Sequence, residues 1–96
     1  MIKANEDLFR QKIEENHRKI QELQQQMEGY SAESIEANIA RQQQRLESQR
    51  KVLSERAIQK YRNDMQSRLA TLEQEKRKLT AQNALYAQAL GNAQLL

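Results

Sequence analysis

Met27-Glu28-Gly29-Tyr30-Ser31-Ala32-Glu33-Ser34-Ile35 is the stretch that decides the fold. Upstream of it, Ile13, Ile20 and Met27 fall at heptad a positions, and Phe9, Asn16, Leu23 and Tyr30 at d. Spacings of three and four put these side chains on one face of a helix, as in a coiled coil. Carried past Gly29, the same frame would place Ser34, Arg41 and Ser48 at a, with Gln44 and Lys51 at d. Those residues are polar. The apolar stripe instead restarts in another frame at Ile35, Ile39, Leu46 and Leu53. The buried face therefore changes at Gly29-Tyr30-Ser31. Glycine suits the position just past a helix end, and Ser31 or Ser34 suits a new N-cap with Glu33 or Glu36 in the first turn.

Outward from this hinge the chain is free of strong breakers. Proline is absent, and Gly29 and Gly91 are the only glycines, 61 residues apart in between. Proline breaks helix interiors and glycine weakens them, so this interval permits a very long helix. The spacing predicts a short helix from Asn5 to residue 28, a hinge over 29–34, a long helix from about 32 to 90, and a tail over 91–96. The expected class is all-α: a long-helix coiled coil folded as an asymmetric helical hairpin and assembling into a dimeric helical bundle. The 96 residues form a single helical coiled-coil domain in this reading.

The two arms differ in length, and the difference organises the packing. Folded back at the hinge, helix one, roughly 36 Å long, reaches only to about residue 57 of a partner roughly 88 Å long. Phe9, Ile13, Ile20, Leu23 and Met27 are expected to pack on Ile35, Ile39, Leu46 and Leu53 within the chain. Beyond that, the stripe steps by fours through Ala57, Tyr61, Met65 and Leu69, which loosens a left-handed supercoil. Heptad order returns at Leu72, Lys76, Leu79, Asn83, Tyr86 and Leu90. Ile58, Tyr61, Met65, Leu69, Leu72, Leu79, Asn83, Tyr86 and Leu90 are thus expected to associate with a second copy. Asn16, Gln42, Gln49, Lys76 and Asn83 interrupt the seams. Such residues fix register at a cost in stability, or mark wet gaps.

Charge is unevenly distributed. Residues 1–36 carry five basic and eight acidic side chains, and residues 37–62 carry seven basic and two acidic. An acidic first arm lying on a basic second segment is complementary and selects orientation. Glu14–Arg18 and Glu15–Lys19 are expected (i, i+4) pairs. The basic stretch also supports an alternative, a nucleic-acid-binding dimer that grips phosphates without sequence preference through Arg41, Arg45, Arg50, Lys51 and Arg56. On one continuous helix these charges would fall all round rather than on one face, which favours a solvated surface.

Chemistry-bearing motifs are sparse. Cysteine is absent, His17 is the sole histidine and has no ligands grouped with it, and no glycine motif cradles phosphate. Metal, cofactor and small-molecule sites are not expected, and neither is catalysis. No run approaches the roughly 18 apolar residues needed to span a membrane, and Met1–Arg10 does not read as a signal peptide. The residues from Leu79 on carry no charged side chain, and Leu85 and Ala89 lie off the seam; with Leu95 and Leu96 they are expected to form a docking patch for a partner protein or, alternatively, a four-helix junction at a dimer end. The expected function is that of a non-enzymatic, cytoplasmic interaction protein: an assembly factor, adaptor, scaffold or chaperone. It forms a homodimer and docks a protein partner by helix–helix packing, with no membrane role.

Overall fold

A computed structural model describes residues 2–95 of the backbone and the side chains of residues 5–92. The fold is all-α, with helices α1 (Ile2–Glu28), α2 (Ala32–Ser48) and α3 (Glu55–Leu95). None of them is long and apolar enough to cross a membrane. The helical hairpin expected from the sequence is present. Its helices are arranged differently, because the span expected to be one helix over 32–90 is broken at residues 49–54. The described chain divides into two compact units, Met1–Gln24 with Glu73–Leu96, and Gln25–Leu72.

In the first unit, the N-terminal part of α1 runs antiparallel to the C-terminal part of α3. Phe9 stacks on Tyr86, with ring centroids 5.6 Å apart, while Asn16, further along α1, meets Asn83, earlier in α3. Offset aromatic pairs of this kind add about 0.5–1.5 kcal/mol beyond the area they bury. The expected stripe holds here: Phe9, Ile13 and Ile20 are half-buried and Leu23 is buried. Facing them, Lys76, Leu79, Asn83, Tyr86 and Leu90 are half-buried at intervals of three and four. Gly91 does not stop the helix, which runs on to Leu95. A lone glycine costs a helix only about 1 kcal/mol, and no partner atom crowds this one.

In the second unit the hinge at Gly29 forms as expected. The amides of Gly29, Tyr30 and Ser31 donate to the carbonyls of Gln26, Met27 and Glu28, closing α1 with tight three-residue turns. Ser31 is the N-cap of α2: its Oγ accepts from the Ser34 amide at 3.2 Å, and Glu33 sits in the first turn. The Ser34 hydroxyl donates back to the Glu28 carbonyl at 3.1 Å, tying the two helix ends together. Gly29 does not use the left-handed conformation that made glycine attractive there.

That conformation occurs instead at Arg50, with φ 59°, in a turn that the sequence reading passed over. The Lys51 amide donates to the Leu46 carbonyl at 2.8 Å, and the Arg50 amide to Glu47 at 2.9 Å. This pair of bonds is the Schellman motif that ends α2. Ser54 then caps α3, its Oγ accepting from the Ala57 amide at 3.1 Å. The break was hidden because the residue at the left-handed position is arginine rather than glycine. Ser54-Glu55 was a legible N-cap signal. With the break in place, α2 pairs antiparallel with the first half of α3. Glu36 reaches Arg62 and Asn38 reaches Tyr61. Ile35 and Ile39 are buried between hinge and turn. Gln42 and Gln49, expected at seam positions, are exposed, and Ile58 rather than Ala57 carries the stripe into α3.

Candidate interaction surfaces

The seam of the first unit is closed by a polar pair. Asn16 is 6% exposed, deeper than the isoleucines beside it, and its Nδ2 donates to Asn83 Oδ1 at 2.9 Å. Asn83 in turn donates to the carbonyl of Ile13 at 3.4 Å. A buried amide is tolerated where its polar atoms find partners. No buried side-chain nitrogen or oxygen among the described residues lacks one. The two asparagines, each an interruption of a stripe in the sequence, thus complete one another.

This arrangement revises the packing lists read from the sequence. The nine positions expected to bind a second copy (Ile58, Tyr61, Met65, Leu69, Leu72, Leu79, Asn83, Tyr86 and Leu90) are all half-buried in the single chain. Tyr61, Asn83 and Tyr86 have intrachain partners in Asn38, Asn16 and Phe9. Of the expected hairpin set, Leu23, Ile35 and Ile39 are buried, and Phe9, Ile13, Ile20, Met27, Leu46 and Leu53 are half-buried. Asn16 and Phe9 of α1, however, meet Gln82, Asn83 and Tyr86 of α3, and Gln25 and Gln26 near its end share a groove with Asn38, Tyr61 and Met65. The reversal at 49–54 is the reason, since it returns the chain as α3. Tyr61, Asn83 and Tyr86 of the second list thus pack within the chain.

What stays open is the outer surface. Leu85 is 65% exposed and Leu8 49%. Both occupy c positions, Leu8 one residue before the d residue Phe9 and Leu85 one before the d residue Tyr86. In an antiparallel pair the c and g positions of both helices flank the same side. Lys12, Glu15 and Lys19 of α1 line one groove on that side with Glu75, Lys78 and Gln82 of α3. Leu8 and Leu85 therefore border the same flank. Ala89, a turn beyond Leu85, is half-buried. Leu96 and the side chain of Leu95, the other members of the expected docking patch, lie outside the described residues. Leu8 was missed because it sits beside the stripe rather than on it.

Charged side chains sort differently from expectation. In α1, Arg18 meets Glu14 at 3.9 Å as expected, but Glu15 pairs with Lys12 at 3.6 Å rather than with Lys19. Arg10 meets Asp7 at 4.0 Å. In the second unit a two-pronged bond joins Arg62 to Glu36, at 2.9 and 3.0 Å. Hydrogen bonding and charge from the guanidinium hold the Glu36 carboxyl below the usual carboxylate range, and the Arg62 pKa is raised in return. Arg41, Arg45, Arg50, Lys51 and Arg56 are all exposed around the turn, together with Val52, which is 92% exposed. Arg41 donates to the Asn38 side chain. Val52 had no part in the sequence reading. His17 is exposed on α1, and among the described residues no three His, Cys, Asp or Glu side chains group as metal ligands. Comparison with family models, curated proteins and solved structures returned no match.

Proposed function

We propose that this chain is a non-enzymatic helical interaction protein, an assembly factor, adaptor or chaperone, that forms a homodimer and docks a protein partner helix on helix. The observation that carries the reading is the uncovered apolar flank at Leu8 and Leu85. It borders a stretch of α3, Leu79 to Asn92, that has no charged residue. Large aliphatic side chains left in water beside a groove edged with charged residues are what a helix-in-groove contact uses, the aliphatics as anchors and the charges as rim. The thin interior supports the same reading: among the described residues the buried apolar ones are Leu23, Ile35 and Ile39. The cytoplasm is the setting this proposal assigns, to be checked by cell fractionation.

The test is solution mass by light scattering. The parent is expected as a dimer at tens of micromolar, and a Leu8→Glu/Leu85→Glu variant as a monomer of unchanged helical circular dichroism. Both side chains are exposed, so the change leaves the intrachain seams alone. A parent that remains monomeric, or a doubly charged variant that still dimerises, would remove this flank as the self-association surface.

A further inference from the structure

We infer that the α2–α3 turn is a phosphate-binding tip that grips the backbone of nucleic acid without reading its sequence. The inference begins with the chain reversal at 49–54. On a single continuous helix the basic residues of 41–62 would be scattered round the axis. Folded at Arg50, they come from two arms toward one end. Gln43 of α2 and Arg56, Gln59 and Arg62 of α3 line a common groove with the turn residue Leu53, and Glu55 and Ile58 complete its wall. Arg45 stands in the last turn of α2, Arg50 and Lys51 in the turn, and Arg56 and Lys60 in the first turns of α3.

A second observation is that these charges lack intrachain counterions. Three carboxylates of α1, Asp7, Glu15 and Glu14, pair locally with Arg10, Lys12 and Arg18. The basic segment has one ion pair among the described residues, Arg62 with Glu36. Arg41, Arg45, Arg50, Lys51, Arg56 and Lys60 have no carboxylate within 4 Å, although Glu47 borders the same groove as Lys51 and Glu55 the same groove as Arg56. The acidic residues of this unit that precede α2 or open it, Glu28 and Glu33, lie at the hinge and not at the turn. Uncompensated, exposed like charges brought to one end repel each other, and a polyanion relieves that repulsion by releasing its own condensed counterions.

The chemistry of the tip selects among polyanions. A lipid surface needs apolar groups to insert beside the basic ones. The tip offers Val52 alone as an exposed aliphatic, with Leu53 half-buried. An acidic protein surface would call for an anchoring aromatic or a pocket at the centre. Tyr61, the aromatic of this segment, is half-buried and bonded to Asn38. The same fact argues against base stacking, so contact is with phosphate and duplex and single strand are bound alike.

The experiment is fluorescence anisotropy of the full chain against labelled 20-mer duplex and single-stranded DNA, from 50 to 200 mM salt. Binding is expected at 50 mM, with a log–log salt slope of about −3 to −5 for six basic groups on duplex, a loss of roughly 60- to 1,000-fold over that range. Arg50→Glu/Lys51→Glu should weaken binding at least about tenfold, whereas Lys19→Glu/Lys78→Glu, with the same change in net charge, should shift it by less than about threefold. Arg50→Gly keeps the left-handed turn, and should weaken binding several-fold without loss of helix. Absence of binding at 50 mM overturns the inference. So do equal losses in both charge-reversal pairs, and so does tighter binding to phosphatidylserine vesicles than to either nucleic acid. Dimer mass is read separately, so failure here leaves the Leu8–Leu85 flank untouched.

Discussion

Asn16 and Asn83 form the most demanding contact in the molecule. Each alone is a polar fault in an apolar stripe; together they satisfy one another at 2.9 Å. Asn83→Ala leaves the buried Asn16 with only a long 3.5 Å bond to Gln82, and an orphaned buried amide costs about 1–3 kcal/mol. The expected outcome is a drop of that size in urea stability. Asn16→Leu/Asn83→Leu should recover or exceed the parent, because no polar group is stranded, while losing the device that fixes helix register. A double-mutant cycle by chemical denaturation checks both arms. Arg50 makes the opposite case. Its side chain is exposed while its backbone is left-handed at φ 59°. That conformation costs an L-residue roughly 1–2 kcal/mol more than glycine. Arg50→Gly should therefore raise the melting temperature, by roughly 1 kcal/mol in stability, and a flat or lower midpoint would mean that the turn is held by other forces.

Between elements, α2 is joined to α3 by one polar clasp that titrates. The Glu36 carboxyl is lowered by its bond to Arg62. A depressed carboxylate contributes stability that is full above its unfolded pKa and is lost as pH falls through the folded one. The clasp therefore weakens only in acid. A carbon-detected NMR titration should show the Glu36 midpoint rise when Arg62→Met removes the guanidinium. If parent and variant give the same Glu36 midpoint, the clasp is absent in solution. The break between α2 and α3 is also a lesson at this scale. Glycine and proline are the strong stop signals, and their absence from 32–90 suggests continuity. Ser54 and Glu55 already marked a helix start, and the step from Leu53 to Ile58 already departed from the fours read through Ala57. A Schellman turn needs two hydrogen bonds and one left-handed residue; arginine can supply the latter when the pairing of α2 with α3 repays the strain.

Across the whole chain, surface outweighs interior. Among the described residues the buried apolar side chains are Leu23, Ile35 and Ile39, a thin interior beside the roughly 800 Å² that a standard interface buries on each partner. If the proposed dimer forms, folding is linked to association, and the melting midpoint should rise with protein concentration over a hundredfold range. Leu8→Glu/Leu85→Glu should abolish that dependence. A midpoint independent of concentration in the parent would count against the dimer.

By itself the sequence determined the helical class and the hinge at Gly29, and it narrowed the cap that follows to Ser31 or Ser34. Propensity, capping and heptad spacing are local, and each can be read within a dozen residues. It determined as well that residues 37–62 are strongly basic. Tertiary structure alone decided which stripe meets which. Phe9 faces Tyr86 and Asn16 faces Asn83 because the chain turns at 49–54. That turn rests on a left-handed arginine whose strain is offset by contacts far away in sequence. The same turn gathers basic residues from two arms at one end, and the seams it closes leave Leu8 and Leu85 outside. The physical reason is that a stripe specifies a face to be buried and carries no address for its partner, since one apolar seam fits another until register, polar pairs and chain connectivity choose between them.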